Sequence, residues 1–560
     1  MKMNQHRNLI PFLEWLPQYQ KGWLRFDVIA GLTASAVVIP KAMAYASIVG
    51  LPLEVGLYSA LIPMVIYAVL GTSRTLSVST TTTIAILTVS QLSLVAPQGS
   101  PAELMTAAST LAVLVGLILL AASILRLGFI ANFISDPVLT GFKAGIGIVI
   151  IVDQIPKLLG VHFTKGGFIQ NLISIVQSLP QTSLVTLVLA IVMLVLILGL
   201  ERFRPHSPAP LVAVAVGIAA SGLLNLERFG VEIVGAIQPG LPSFSTPDLS
   251  LVSRLAPGAL GIALMSFTES IAAGRAFARH GEPRPNANKE LLALGFTNLF
   301  GGLFHAMPSG GGTSQTAVNR NAGARTQIAA FVTAAVCIAV LLFLAPVFRI
   351  MPQVTLAAVV IATSIPLISA AEFRNIRRIR HIEFQWAFIA FLGVIFLGTL
   401  NGILVAIGAS ILSLLHRAND PVVYAIGRKR NTNIFRPLSE EHPGDDTFPG
   451  LLMVRSEGLL YFANAQRVGD KLVPLLYEAE PKVLLWDCSG MTNIEYTALR
   501  MLADFEEKLR ENGIMLWLAG LNPETLEIIR KSSLGKILGT DRTFHNMEEA
   551  TTAYRRMQDT

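Results

Sequence analysis

Two stretches of this chain, SVSTTTTIAIL (77–87) and PSGGGTSQTAVN (308–319), set hydroxyls, glycines and a proline among apolar segments. Lipid-facing helix favours Leu and Val, and irregular polar backbone persists at membrane depth only when buried in protein or lining a cavity. Helices that begin at such interruptions present unpaired N–H groups and about half a positive charge each. Facing one another, two such ends would hold an anion. Thr80, Thr81, Thr82 and Thr83 on one side, with Thr313, Ser314 and Thr316 on the other, would add neutral donors. Taken singly, each stretch has a plainer reading, in which the hydroxyls cap helix ends and Gly310, Gly311 and Gly312 permit close packing. The pair favours the anion site.

Two charged residues bear on the same chemistry. Lys41, in VVIPKAMAYA, lies about 20 Å into the first apolar span at 1.5 Å per residue. A cation at that depth is costly and marks function by default; the alternative is a lysine snorkelling past Pro40 to the outer face. Glu269, in MSFTESIAAGRAF, belongs to the eighth span. It suits a pair with Lys41, a bond to Arg275 or to a helix end, or the uptake of a coupling proton.

The elements that must position these residues are membrane helices. Of the 560 residues 52% are hydrophobic and 14% charged, against roughly 45–50% and 25% in globular proteins, and mean hydropathy is +0.58. Segments long enough to cross a core about 30 Å thick are expected near 28–49, 54–71, 76–95, 103–125, 136–154, 183–200, 210–225, 257–274, 289–306, 313–322, 327–347, 354–370, 384–400 and 401–416. The interrupted stretches fall in the third and tenth of these roughly fourteen spans, so two seven-span halves would place them equivalently, as at a transporter's midplane site.

Cations concentrate in alternate loops, at Arg74, Arg126, Arg202, Arg204, Arg275, Arg279, Arg284, Lys289, Arg325, Arg374, Arg377, Arg378 and Arg380. The opposite loops hold Lys157, Lys165, Arg228, Arg254 and Arg349. Positive loops inside and an even span count put both termini in the cytosol, and residues 1–23 lack the pattern of a signal peptide. The formal charge of +7 is spread over these loops rather than gathered on a soluble face, which argues against a nucleic-acid partner.

Cys337 and Cys488 are too few and too far apart for a disulfide framework or a zinc site. No GxxxxGK[ST], HExxH or GxSxG motif occurs, and His280 and His305 read as solvated or packing residues, so neither an enzyme nor a cofactor or metal is expected. Residues 1–420 form the transmembrane domain in this reading and 421–448 a polar, Pro/Gly-marked linker. In 449–560, strand-like LLMVRSEGLLYF, KVLLWDCS and IMLWLAG alternate with helical VGDKLVPLLYEA, TALRMLADFEEKLRENG and PETLEIIRKSSLGKIL, which predicts a compact α/β domain.

At several of these residues the chain resembles the SulP sulfate permease family. IPKAMAYASIVGLPLEVGLYSALIP (39–63) is similar to the family's first-span signature, and FTESIAAGRAF (267–277) with NKELLALGFTNLFGG (288–302) to its eighth and ninth spans. TSQTAVNRNAGARTQ (313–327) resembles its tenth-span motif, and the tail from Pro449 resembles a STAS domain. The resemblance implies a seven-plus-seven inverted repeat with core and gate subdomains, half-helices in the third and tenth spans, an elevator-like movement and a homodimer with STAS domains below the membrane. It implies a pocket at Lys41, Tyr45, Thr80, Thr81, Glu269, Ser314 and Gln315. Animal members carry a STAS insertion that this chain lacks, which implies a bacterial origin and an inner-membrane location.

Three departures from the family matter. Lys41 stands where many relatives have Gln, and Gln315 where many have Arg, so the cation is expected to have moved across the pocket. Ser79 and Thr80 stand where Gly-Pro is frequent. In the tail Glu495 and Tyr496 occupy the place of a phosphorylated Ser in related regulators, which leaves packing and assembly as that domain's expected role. The function implied is secondary transport of a sulfate-like inorganic anion, proton-coupled or exchanging. Bicarbonate or C4-dicarboxylate transport stays open beside it, as do an anion channel and a non-transporting sensor or scaffold.

Overall fold

The computed structural model describes residues 11–97, 99–132, 135–162, 167–204, 208–235, 238–278, 282 and 284–558, without the side chains of residues 131, 132, 399, 400, 403, 407 and 417. Lys165, Arg279 and His280 lie outside the described residues, as does the start of the N-terminal segment. The chain divides into two compact units at Ile411 and Leu412.

The first unit is helical. Its elements are α1 (Leu24–Val49), α2 (Leu53–Leu70), the two-residue strand β1 (Val78–Ser79), α3 (Thr82–Val95), α4 (Pro101–Ile124), α5 (Asp136–Leu159), α6 (Leu184–Phe203), α7 (Ala209–Leu224), α8 (Val252–Ala276) and α9 (Ala287–Leu303). Strand β2 (Gly310–Gly311) follows, then α10 (Thr313–Asn321), α11 (Ile328–Ala339), α12 (Gln353–Ser364) and α13 (His381–Ala418), which breaks at Gly398. A π-helical turn at Val340–Leu344 carries α11 on to Phe348. Each expected span overlaps helix, the third only from Thr82 onward. Among the described residues nine helical segments have the length and apolarity to cross a membrane, and Thr82–Val95, Ala209–Leu224 and Leu404–His416 are shorter apolar helices.

Local chemistry sets these ends. Ser100 and Glu103 close a capping box around Pro101 at the start of α4, satisfying N–H groups that the helix cannot. Asp27, fully buried in the first turn of α1, accepts from the N–H groups of Arg325 and Thr326 at 2.7 and 3.0 Å and from the Thr326 hydroxyl at 2.7 Å. It thereby ties α1 to the chain that follows α10.

The helices pack as two bundles. One gathers α1 to α4 with α8 to α11; the other gathers α5, α6, α7 and α12, with α13 seated on α5. They meet where α7 and α12 lie on α1 and where α5 lies on α3.

The second unit is an α/β domain with a seven-stranded sheet in the order β4-β3-β5-β6-β8-β9, with β7 paired to β5. Its strands are β3 (Val422–Arg428), β4 (Phe435–Pro437), β5 (Leu451–Leu460), β6 (Val483–Asp487), β7 (Met491–Ile494), β8 (Met515–Ala519) and β9 (Thr543–Phe544). Its helices are α14 (Ala465–Ala479), α15 (Tyr496–Glu511), α16 (Pro523–Arg530), α17 (Ser533–Leu538) and α18 (Met547–Gln558). Strand alternation sends Val454, Trp486 and Leu518 to one face, under α14 to α17, and Met453, Leu485 and Trp517 to the other, under Tyr554 of α18. The segment 421–448, expected to be a linker, contains β3 and β4, antiparallel neighbours at the sheet edge. Turn-forming Pro and Gly around short strands hide them from a composition-based reading. Cys488 is buried, and burial pushes its thiol pKa up, as expected of an inert cysteine.

Candidate anion site

The two interrupted stretches meet. Val78 pairs with Gly311 and Ser79 with Gly310, antiparallel, and the Gly312 N–H donates to the Ser77 carbonyl at 3.0 Å. Helices α3 and α10 begin just beyond this crossing, at Thr82 and Thr313. The glycines are required by what lies beneath: a Cβ on Gly311 would come within 2.7 Å of Ser270 Cα, and one on Gly310 within 2.8 Å of Ile84 Cδ1 and 3.1 Å of Ser266 Cα. The hydroxyls of α8 complete the seat. Ser266 donates to the Ser309 carbonyl at 2.6 Å, and the Gly311 N–H donates to Ser270 Oγ at 2.7 Å. Asn298 of α9 closes both backbone polar groups of Ser309, accepting its N–H at 2.8 Å and donating to its carbonyl at 3.1 Å.

The two helix ends differ. Thr81 caps α3, its Oγ1 accepting from the Ile84 N–H at 3.3 Å. Gly312 precedes α10 and supplies no side-chain cap, while Thr313 and Ser314 in the first turn are solvent-exposed. The unpaired N–H groups of α10 therefore open onto accessible space. Lys41 reaches this end, its Nζ donating to Ser314 Oγ at 3.2 Å. With 7% of its surface exposed, Lys41 points into the protein and does not snorkel.

The structure places the remaining expected residues around the same crossing. The hydroxyls of Tyr45 and Thr82 are hydrogen-bonded at 2.8 Å. Glu269 accepts from Thr81 Oγ1 at 2.9 Å and Thr83 Oγ1 at 3.0 Å, one per carboxylate oxygen. No ion pair joins it to Lys41 among the described residues. Thr80 and Gln315 belong to the crossing itself. The Thr80 hydroxyl donates to the Pro308 carbonyl at 2.9 Å, and Gln315 Oε1 accepts from Ser79 Oγ at 2.9 Å, with 1% and 2% of their surfaces exposed. The threonines expected as free donors on α3 thus already serve protein partners, because a hydroxyl proton goes to the nearest acceptor that the fold presents.

Two charges were missed by the sequence reading. Lys143 on α5 interacts electrostatically with Glu269, and Glu201 on α6 with Lys41. Lys143 carries the signal that singled out Lys41, a cation within an apolar span, here GFKAGIGIV.

A two-bundle helical membrane body with two interrupted helices that begin at one crossing, one of them bare-ended beside a buried lysine, has the make-up of a polytopic anion transporter. Comparison with known proteins narrows the class. A Sulfate permease family profile matches residues 24–390 and a STAS domain profile matches 442–550. The chain is similar to a probable sulfate transporter of Mycobacterium tuberculosis, 34% identical over 96% of this chain and 97% of that one. It is also similar to sulfate transporter 3.1 of Arabidopsis thaliana, 30% identical over 97% and 86% of the respective chains. Among solved structures, SLC26A9 matches with a TM-score of 0.88 at 22% identity over 98% of this chain and 93% of that one. The transmembrane domain of the cyanobacterial bicarbonate transporter BicA matches with a TM-score of 0.60 at 24% identity, covering 70% of this chain and 98% of that one. These two likenesses establish the fold. The chain belongs to the sulfate permease family.

Proposed function

We propose that this protein is a secondary transporter of an inorganic oxyanion, sulfate in the first place, that binds its substrate at the bare end of α10. The observation that carries the reading is the uncapped first turn, exposed at Thr313 and Ser314, with the Lys41 ammonium 3.2 Å from Ser314 Oγ. Backbone N–H groups, a helix dipole and one cation form a cradle for an oxyanion. The named substrates of the Mycobacterium and Arabidopsis relatives support sulfate. Within this reading Tyr45 and Ser314 line the site, Thr80, Thr81 and Gln315 shape it, and Glu269 takes part in coupling to protons or to a counter-anion.

The bundle of α1 to α4 and α8 to α11 carries the site past the other bundle in an elevator-like movement. The protein works as a homodimer in the bacterial inner membrane with both termini in the cytosol, and residues 449–560 serve packing and assembly. Proteoliposomes test the reading. Uptake of labelled sulfate against a gradient, competed by unlabelled sulfate better than by bicarbonate, succinate or fumarate, is the expected result. Dissipative flux alone would indicate a channel, binding without flux a sensor, and stronger competition by succinate or bicarbonate another substrate.

A further inference from the structure

Lys143 stands at the boundary between the two bundles. On α5 the residues two before and two after it, Gly141 and Gly145, are pressed against α13: a Cβ on Gly141 would come within 1.8 Å of the Ala387 carbonyl oxygen, and one on Gly145 within 2.8 Å of Val394 Cβ. At about 100° per residue, a side chain two positions from each glycine leaves the opposite side of the helix. That places Lys143 away from α13 on a helix that packs against α3. Helix α3 presents Thr81 and Thr83, whose hydroxyls hold both oxygens of Glu269. Lys143 is half-buried, interacts electrostatically with Glu269, and makes no ion pair with it at direct contact among the described residues.

We propose that Lys143 is the counter-charge of Glu269 and a specificity residue of the anion site, acting from the opposite bundle. This inference rests on the reading of the α10 end as an anion site. With Lys143 present, the charges of Lys41, Lys143 and Glu269 sum to one positive, and the two helix ends add about half a charge each. A divalent oxyanion is then matched while Glu269 stays ionised. Without Lys143 the side-chain sum is zero and the site loses its preference for a dianion. The other charge that acts on Lys41 among the described residues, Glu201 on α6, is solvent-exposed, so water and salt screen its effect on Lys41.

The test is equilibrium binding of labelled sulfate to the purified full-length protein, with chloride as competitor. Lys143→Gln is expected to weaken sulfate binding by about tenfold or more and chloride competition by less, since a dianion interacts with a given charge twice as strongly as a monoanion at the same distance. Lys143→Arg keeps the charge and is expected within about threefold of wild type. The double variant Lys143→Gln/Glu269→Gln restores the charge sum and should also return to within about threefold, which repair of a merely structural defect would not do. Unchanged sulfate affinity in a folded Lys143→Gln protein overturns the inference, as does a double variant as weak as the single. If Lys41→Gln abolishes binding while Lys143→Gln does not, the anion site stands and this inference falls. A wild-type chain that binds neither anion overturns both.

Discussion

Removing the charge of Lys41 is the sharpest perturbation of the candidate site. Its Nζ lies 3.2 Å from Ser314 Oγ, so an oxyanion on the first-turn N–H groups of α10 would sit about 4 Å from the ammonium. Two unit charges at that distance attract by about 4 kcal/mol at an effective dielectric constant of 20. Desolvation offsets part of this, and a hydrogen bond to a charged group retains about 1.5–3 kcal/mol. Lys41→Gln should therefore weaken sulfate binding by about 10- to 150-fold, with a matching rise in KM for uptake, and Lys41→Arg should recover most of the loss. Binding by the purified protein and initial uptake rates in proteoliposomes measure both. A Lys41→Gln protein that melts like wild type and binds sulfate unchanged would refute the reasoning. Gln315 is turned onto Ser79 and 2% exposed. An arginine there must abandon that contact to reach the anion, so Gln315→Arg should not rescue Lys41→Gln.

Other consequences are open to direct measurement. Gly311→Ala forces a Cβ to within 2.7 Å of Ser270 Cα, and overpacking of this kind costs about 1–3 kcal/mol, visible as a lower melting temperature and weaker anion binding together. Asp27→Ala strands the buried N–H of Thr326 and the part-buried N–H of Arg325, at up to about 1–3 kcal/mol each, and should lower the melting temperature without changing which anion competes best. In the α/β domain, hydrogen bonding from Arg436 holds Asp445 below the usual carboxylate range. A depressed folded-state pKa means that this stabilisation is present above the ordinary value and lost as pH falls through the depressed one. The difference in melting temperature between wild type and Arg436→Gln should accordingly be largest near neutral pH and shrink on acidification.

The parts of this molecule that repeat a simple pattern were legible before any coordinates. Apolar runs gave the helices, and hydroxyl and glycine clusters marked the third and tenth as interrupted, because lipid tolerates no unpaired backbone. What the pattern could not carry was the destination of each polar hydrogen. Thr80 looks like a substrate donor in sequence and is spent on the Pro308 carbonyl in the structure. Gln315 and Ser314 are neighbours in sequence, yet one faces the crossing and the other the accessible space. Lys143 is a cation in an apolar span just as Lys41 is, but its link to Glu269, on a helix more than a hundred residues away, appears only in the folded chain. In the tail, β5, β6 and β8 were plain from their apolar runs, whereas β3 and β4 at the sheet edge looked like connecting chain.

The two-residue ladder between β1 and β2 also bears on how the protein is made. Its polar contacts join residues such as Ser79 and Gln315, 236 positions apart, and contacts of such separation close late in folding. While the ribosome is still adding the second half, the first half holds Thr80 with no Pro308 carbonyl and Lys41 with no Ser314. Nascent chains shorter than about 320 residues would therefore expose a polar gap at membrane depth that only the second half can close. The crossing that frames the candidate site is therefore completed only once the chain has been made through α10.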